Sequence, residues 1–151
     1  MAGTFHQIYI QIVFGVRNRD RIIPQSKKTT LHKYITGIIQ NNKCKMICIN
    51  SVSDHLHFMM GLHPTVCISN LVKDIKLATS DLIKKEKWVV GKFYWQTGFG
   101  AFSYSRSDIV RVCKYINDQE EHHNRITFKE EYEALLKEFQ AEYDPKYVLD
   151  F

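Results

Sequence analysis

The sequence predicts an α+β sandwich, an antiparallel sheet carrying helices on one face with additional C-terminal helices, and three observations predict it. Apolar residues alternate with period two near the start and middle of the chain. Apolar stripes at helical spacing lie between those segments, and the elements run in the order β-α-β-β-α-β before further helices. At 151 residues the chain fits a single domain, 1-151, long enough to bury a core without staples.

From His6 to Phe14, Ile8, Ile10, Ile12 and Phe14 lie on one face and Tyr9, Gln11 and Val13 on the other, which predicts a first strand. The polar run Arg17-Asn18-Arg19-Asp20-Arg21 leads to a helix entered near Pro24 and Ser26, with Leu31, Tyr34, Ile35, Ile38 and Ile39 at helical spacing. Asn41-Asn42 ends it. Lys43 to Asn50, rich in Met46, Ile47, Cys48 and Ile49, predicts a second strand that turns through Ser51 to Asp54 into a third. Pro64 closes the third strand, and a helix from about Ser69 to Lys87 carries Leu71, Val72, Ile75, Ala78, Leu82 and Ile83 on one stripe. Its lysines form a solvated face.

The aromatic stretch Phe93 to Ser103, broken by Gly98 and Gly100, predicts a strand with a bulge or bend. Ser107 is expected to cap another helix, with Asp108 in its first turn and Ile109, Val112, Cys113 and Ile116 as its stripe. A last amphipathic helix, about Thr127 to Glu142, presents Tyr132, Leu135, Leu136 and Phe139, and the tail from Tyr143 to Phe151 is expected on the surface. This is the order of a ferredoxin-like (RRM-like) sandwich, whose crossover helices share one sheet face and leave the other open.

Lys plus Arg exceed Asp plus Glu by 21 to 16, and the net charge of +5 favours a polyanionic partner over an acidic small substrate. Cys44, Cys48, Cys67 and Cys113 form no C-x-x-C pair; Cys44 and Cys48 sit in an apolar run as small hydrophobes, so reduced thiols and a cytoplasmic setting are expected. The first residues lack a signal-peptide pattern, and no apolar run approaches the roughly 20 residues that span a bilayer, so no membrane association is expected.

Asp54-His55-Leu56-His57-Phe58-Met59-Met60 carries the chemistry. Side chains two apart in a strand share a face, so His55 and His57 project together on the open face, opposite Leu56, Phe58 and Met60. They make a ready pair of metal ligands, although strand histidines are more often structural. Tyr115 and Gln119 stand four residues apart, stacked on one helix side and flanking its apolar stripe. Such a tyrosine is ordinarily a packing residue. Near the sheet, however, Gln119 offers an amide oxygen to an ion held by the histidines, and Tyr115 offers a phenol. The donors His55, His57 and Gln119 lack thiolate and suit Mg²⁺ or Mn²⁺ better than a closed zinc site. Tyrosine is a fitting nucleophile where bond energy is conserved, because a phosphotyrosine ester is open to attack by a later hydroxyl. His122 and His123 suit a helix end, and His6, His32 and His63 are left without a role.

His55-Leu56-His57, the run Trp95-Gln96-Thr97-Gly98-Phe99-Gly100-Ala101-Phe102-Ser103 and the segment Tyr115-Ile116-Asn117-Asp118-Gln119-Glu120-Glu121-His122-His123 resemble, in order and spacing, the three signature blocks of the single-tyrosine HUH transposases. These blocks are a His-hydrophobic-His metal motif, a Trp-Gln-x-Gly-Tyr-Gly-Ala-Phe-Ser segment and a nucleophile helix with Tyr-x-x-x-Gln. The resemblance runs over nearly the whole chain. It implies a homodimeric, metal-dependent single-stranded DNA endonuclease and strand transferase acting at hairpin-marked ends of an insertion sequence. Tyr115 would take a 5′-phosphotyrosine link and His55, His57 and Gln119 would hold the metal, and the resemblance allows an active site shared between subunits, since family members can place the tyrosine helix of one over the metal site of the other. The chain departs from the pattern at Phe99, usually tyrosine, and at Tyr104, commonly a smaller apolar residue.

For the nucleic acid, Arg17, Arg19 and Arg21 and the lysines Lys84, Lys85 and Lys87 offer phosphate neutralisation. Tyr94, Trp95, Phe99 and Phe102 offer rings for an unpaired base, with Arg17, Arg19 and Trp95 the leading candidates. Two close alternatives use the same site: a domesticated palindrome-processing relative and a replication initiator. A non-catalytic RRM-like nucleic-acid-binding module is disfavoured, because histidines occupy the face where such modules carry aromatics.

Overall fold

The computed structural model describes residues 3–19, 22–123 and 125–144, with the backbone alone at positions 19 and 122. Strands β1 (Tyr9–Gly15), β2 (Lys45–Val52), β3 (His55–Gly61) and β4 (Gly100–Tyr104) form one antiparallel sheet in the order β2-β3-β1-β4. Two crossover helices, α1 (Lys28–Asn41) and α2 (Ile68–Lys85), link the strands, and α3 (Ile109–Asn117), α4 (Gln119–His122) and α5 (Phe128–Glu138) follow. The α+β sandwich with added C-terminal helices is as expected from the order of elements.

Alternation along each strand decides which layer a residue joins. Ile10, Ile12 and Phe14 of β1 and Leu56, Phe58 and Met60 of β3 pack with Leu31, Ile35 and Ile39 of α1 and Leu71 and Ile75 of α2. The other face, expected to be open, is covered. Val13 and Phe102 pack with Phe128, Tyr132 and Leu135 of α5, while Met59 packs with Val112 and Ile116 of α3. Apolar residues stand at both alternations of β1 and β3, the pattern of strands buried on two sides. Each large side chain buried there contributes about 1.5–3 kcal/mol, enough in sum to hold α3 and α5 against the sheet.

The aromatic stretch contributes less strand than expected. Only Gly100–Tyr104 joins the ladder, and the preceding residues run past the end of β1 through an isolated Val16–Trp95 bridge and contacts of Gln96 with Gly15. Gln96 accounts for this, because its backbone N–H donates to Gly15 O at 2.8 Å and its Oε1 accepts from the Gly15 N–H at 2.7 Å. One residue thus satisfies both backbone groups at the end of β1. Gly15 has no room for a side chain: a Cβ there would overlap the Phe128 ring and lie 2.9 Å from Asp54 O. The expected Ser107 cap is not formed. Ser107 lies within a short 3-10 turn before α3, and its hydroxyl meets Ser105 Oγ at 2.9 Å. Thr127 does cap α5, accepting the Glu130 N–H at 3.2 Å.

Cys48 is not the unpaired hydrophobe its sequence context suggests. It forms a disulfide with Cys113, joining β2 to α3 across a Cα–Cα distance of 5.9 Å, while Cys44 stays buried and free and Cys67 exposed and free. The pairing depends on α3 folding back over β2, which spacing along the chain does not reveal. The bridge closes a separation of 65 residues, for which the chain-entropy account gives about 4 kcal/mol. Cys113→Ser is therefore expected to lower the urea midpoint under oxidising conditions and to match the wild type in reductant. Equal midpoints without reductant would show that the bridge contributes nothing. Among the described residues no helix is long and apolar enough to cross a membrane.

Candidate active site

His55 opens β3 and His57 follows two residues on, so both rings lie on the face covered by the C-terminal helices. Both are 0% exposed. Their outer nitrogens are fixed first: His55 Nδ1 lies 2.8 Å from Asp54 Oδ1, and His57 Nδ1 lies 2.9 Å from Gln11 Oε1. Both partners are acceptors, so each Nδ1 carries a proton and each Nε2 is left to face inward.

Inward, the imidazoles meet oxygen. Glu131 Oε1 lies 3.0 Å from His57 Nε2 and 3.3 Å from His55 Nε2, and Gln119 Oε1 lies 3.1 Å from His55 Nε2. Gln119 Nε2 donates to Glu131 Oε2 at 3.0 Å, which turns the amide oxygen toward His55. Tyr115 donates its hydroxyl to the same Oε2, and His123 Nε2 stands 2.9 Å from Oε1. Although α3 ends at Asn117 and α4 restarts at Gln119, the four-residue step from tyrosine to glutamine survives the break.

This arrangement fits a cation. With both rings neutral, the two Nε2 atoms, an amide oxygen and a carboxylate oxygen would turn lone pairs toward one another, and buried acceptors need a positive partner. Adjacent donors around a small octahedral ion at about 2.1 Å stand about 3.0 Å apart. The separations of 3.0, 3.1 and 3.3 Å here agree with that spacing. His55, His57 and Glu131 form a potential metal site, with ligand atoms within 4.8 Å of one another.

Charge follows from the same contacts. Burial opposes a proton on His55, but hydrogen bonds to Asp54 and Glu131 outweigh it and raise its pKa. At His57 burial prevails over the Glu131 carboxylate and lowers the pKa. Burial alone would favour a protonated Glu131; the His57 ring and hydrogen bonds from His123, His55 and His57 hold it well below the usual carboxylate range. Fully buried and with its Nδ1 facing a neutral amide, the His57 ring is one on which burial disfavours charge. Burial, and then the Glu131 charge, pushes the Tyr115 phenol above its ordinary value.

The structure thus brings together His55, His57, Gln119 and Tyr115. It does not place Trp95 where a base would reach it. Trp95 is 6% exposed, lies edge-on to Phe14 and Phe93 and donates Nε1–H to Thr79 Oγ1 at 2.9 Å, because its indole fills the main core. Tyr94 is the exposed ring instead, with the Arg17 guanidinium 5.1 Å and Lys84 Nζ 5.7 Å from its centroid. The side chain of Arg19, the whole of Arg21 and the tail from Pro145 lie outside the described residues.

Glu131, Gln11, Asp54 and His123 were not among the expected site residues. Glu131 left a trace in the sequence: with Phe128, Tyr132 and Leu135 as the buried stripe of α5, it is an acidic residue at a core-facing position, 2% exposed. Two hollows flank the cluster. A cleft of about 690 Å³ is lined by Asp54, Glu120, His123 and Arg125, and a smaller one of about 270 Å³ by Tyr104, Arg111, Tyr115 and Glu131.

A ferredoxin-like sheet that sets a His-x-His pair beside a helix-borne tyrosine defines the HUH class of tyrosine transposases. Residues 4–119 match the family described as IS200-like transposases, and the chain belongs to that family of DNA-cleaving enzymes. It is 21% identical over 124 residues to the ISDra2 transposase TnpA of Deinococcus radiodurans, covering 78% of this chain and 87% of that one. Its fold is similar to a transposase crystal structure from Deinococcus radiodurans, with a TM-score of 0.59 and 17% identity over 79% of this chain and 95% of the other. It is also similar to a REP-associated tyrosine transposase bound to a REP hairpin, with a TM-score of 0.63 and 14% identity over 83% of this chain and 76% of the other. The family match stops at Gln119, so Glu131 lies beyond it.

Proposed function

We propose that the chain is a metal-dependent endonuclease and strand transferase that cuts single-stranded DNA at hairpin-marked element ends through Tyr115. One observation supports this above the others: a phenol, an amide, a carboxylate and two imidazoles from β3, α3, α4 and α5 meet in one buried cluster. His55, His57, Gln119 and Glu131 hold Mg²⁺ or Mn²⁺, which when bound polarises the phosphate and offsets charge developing on it.

The chain's own groups do the rest. Tyr115 Oη attacks the phosphorus, the bond to the 3′-oxygen breaks, and the 5′-phosphate stays on tyrosine while the 3′-oxygen departs and takes its proton from solvent water to become a hydroxyl. The phenolic proton passes to Glu131 Oε2, which already accepts it in a hydrogen bond. Since the phosphodiester energy is kept, a 3′-hydroxyl can later attack the phosphotyrosine and rejoin strands. Arg17 beside exposed Tyr94 offers charge and a ring to the unpaired strand. The active unit is a homodimer, as the resemblance implies.

The test is to incubate the purified chain with a hairpin-bearing single strand, labelled 3′ of the cut, with and without Mn²⁺. A labelled covalent protein–DNA adduct is expected only with the metal, at least about 100-fold above the chelated control, a span within reach of metal-ion charge stabilisation. Equal adduct in chelator would refute the metal-dependent mechanism.

A further inference from the structure

A helix leaves its last carbonyls without partners of its own, and α3 finds partners for two of them in the sheet. No glycine follows α3; Asp118, at φ −92° and ψ 16°, closes it, and Gln119 opens α4. The Ile116 and Asn117 carbonyls turn to β2, where Asn50 Nδ2 donates to the first at 3.0 Å and to the second at 2.9 Å. Asn50 Oδ1 in turn accepts the Ser51 N–H at 3.0 Å. A backbone N–H only donates and a carbonyl only accepts, so these partners fix the orientation of the amide. Asn50 is buried, and both ends of its amide are bonded, as a buried amide requires.

Two residues of β2 hold the tyrosine's helix. Asn50 stands directly opposite His57 in the β2–β3 ladder, so the two side chains share the face on which the buried cluster lies. Cys48, two residues earlier on the same strand, is bonded to Cys113. β2 therefore grips α3 at Cys113 and again at the Ile116 and Asn117 carbonyls, and Tyr115 lies between the two grips. The second grip also falls between Tyr115 and Gln119, the two residues that bond Glu131 Oε2.

We propose that Asn50 is a positioning residue for strand cleavage: by tying the carbonyl end of α3 to the strand beside His57, it holds Tyr115 Oη in register with the cluster. The inference rests on Tyr115 as the nucleophile. The Asn50 amide is taken up by backbone groups, so it acts through the helix and not on phosphate or ion. A misplacement of about 1 Å, even from a change remote from the reacting atoms, can cost roughly 100-fold in rate. Merely satisfying two carbonyls makes a lesser demand, which water could meet.

Asn50→Ala separates these two roles. Alanine leaves room for water to bond the freed carbonyls, which spares the fold, but water does not tie α3 to β2 at a fixed distance. The assay follows covalent adduct formation against hairpin concentration at saturating Mn²⁺, with reductant present so that the Cys48–Cys113 bridge cannot mask the loss. Rates are taken per hairpin-bound protein, measured by anisotropy, so a smaller folded fraction does not register. The maximal rate is expected to fall roughly 10- to 100-fold, while the hairpin concentration at half-maximal rate stays within about 2-fold of wild type. Should Asn50→Ala fail to fold, Asn50→Ser, whose hydroxyl can donate to one carbonyl, should lose about the square root of that factor, roughly 3- to 10-fold. A wild-type maximal rate in the variant that folds, or a loss carried wholly by the half-maximal concentration, would overturn the positioning role and leave Tyr115 standing as nucleophile. An adduct that wild type does not form, or that Tyr115→Phe forms equally well, would instead remove the nucleophile and the positioning role with it.

Discussion

Tyr115→Phe is expected to abolish the covalent DNA adduct, lowering strand cleavage by at least about 10⁴-fold while hairpin binding stays within about 2-fold of wild type. Losses of this size follow when the nucleophile itself is removed, because no neighbouring group replaces the missing oxygen. Phenylalanine preserves the ring that sits edge-on to His57 at 6.0 Å and removes only the hydroxyl bonded to Glu131. Glu131 Oε2 keeps its bond from Gln119 Nε2, so the carboxylate is not stranded and the cluster should fold. The readouts are adduct yield on a denaturing gel and hairpin affinity by anisotropy. An undiminished adduct in the variant would assign the nucleophile elsewhere.

Much of this site is legible in the sequence because strand geometry is so regular. Period two alone puts His55 and His57 together and sets Gln11 on the face opposite Ile10 and Ile12, and the four-residue step joins Tyr115 to Gln119. What periodicity does not carry is which helix covers which face. The buried histidines were expected to face an open sheet, yet α5 lies over them, with the Phe128 ring stacked 4.1 Å from His55. Trp95 illustrates the same limit. An aromatic run reads alike whether its rings meet solvent or core, and here the indole turns to Thr79 while Tyr94 next to it faces out. Cys48 and Cys113 likewise meet only because α3 returns to β2. Glu131 is the costliest omission: an acidic residue within the α5 stripe is a local conflict of the kind that marks functional sites.

Glu131→Gln should separate the two roles a buried carboxylate can play here. If Glu131 is a ligand and accepts the Tyr115 proton, the amide, which keeps the shape but loses the charge, should weaken Mn²⁺ binding roughly 10- to 100-fold or more, since removing an outer partner of a ligand already costs that much. Adduct formation should fall by a further factor of about 10²–10⁴, the range for losing a general base. Hydrogen-bond capacity argues that the fold survives: glutamine can still accept from Tyr115 and Gln119 through its oxygen and donate toward His57 or His123 Nε2 through its NH₂. If Glu131 merely fills the space between the imidazoles, releasing its charge should loosen α5 and leave Mn²⁺ affinity and adduct yield equal to wild type or higher. The placement of the carboxylate favours the first outcome, because Glu131 Oε1 stands 3.0 and 3.3 Å from the two Nε2 atoms, the spacing of neighbouring ligands around one small ion. Paired Mn²⁺ titration and adduct yield for the variant decide between them, and a rise in both would assign Glu131 to occlusion of the site.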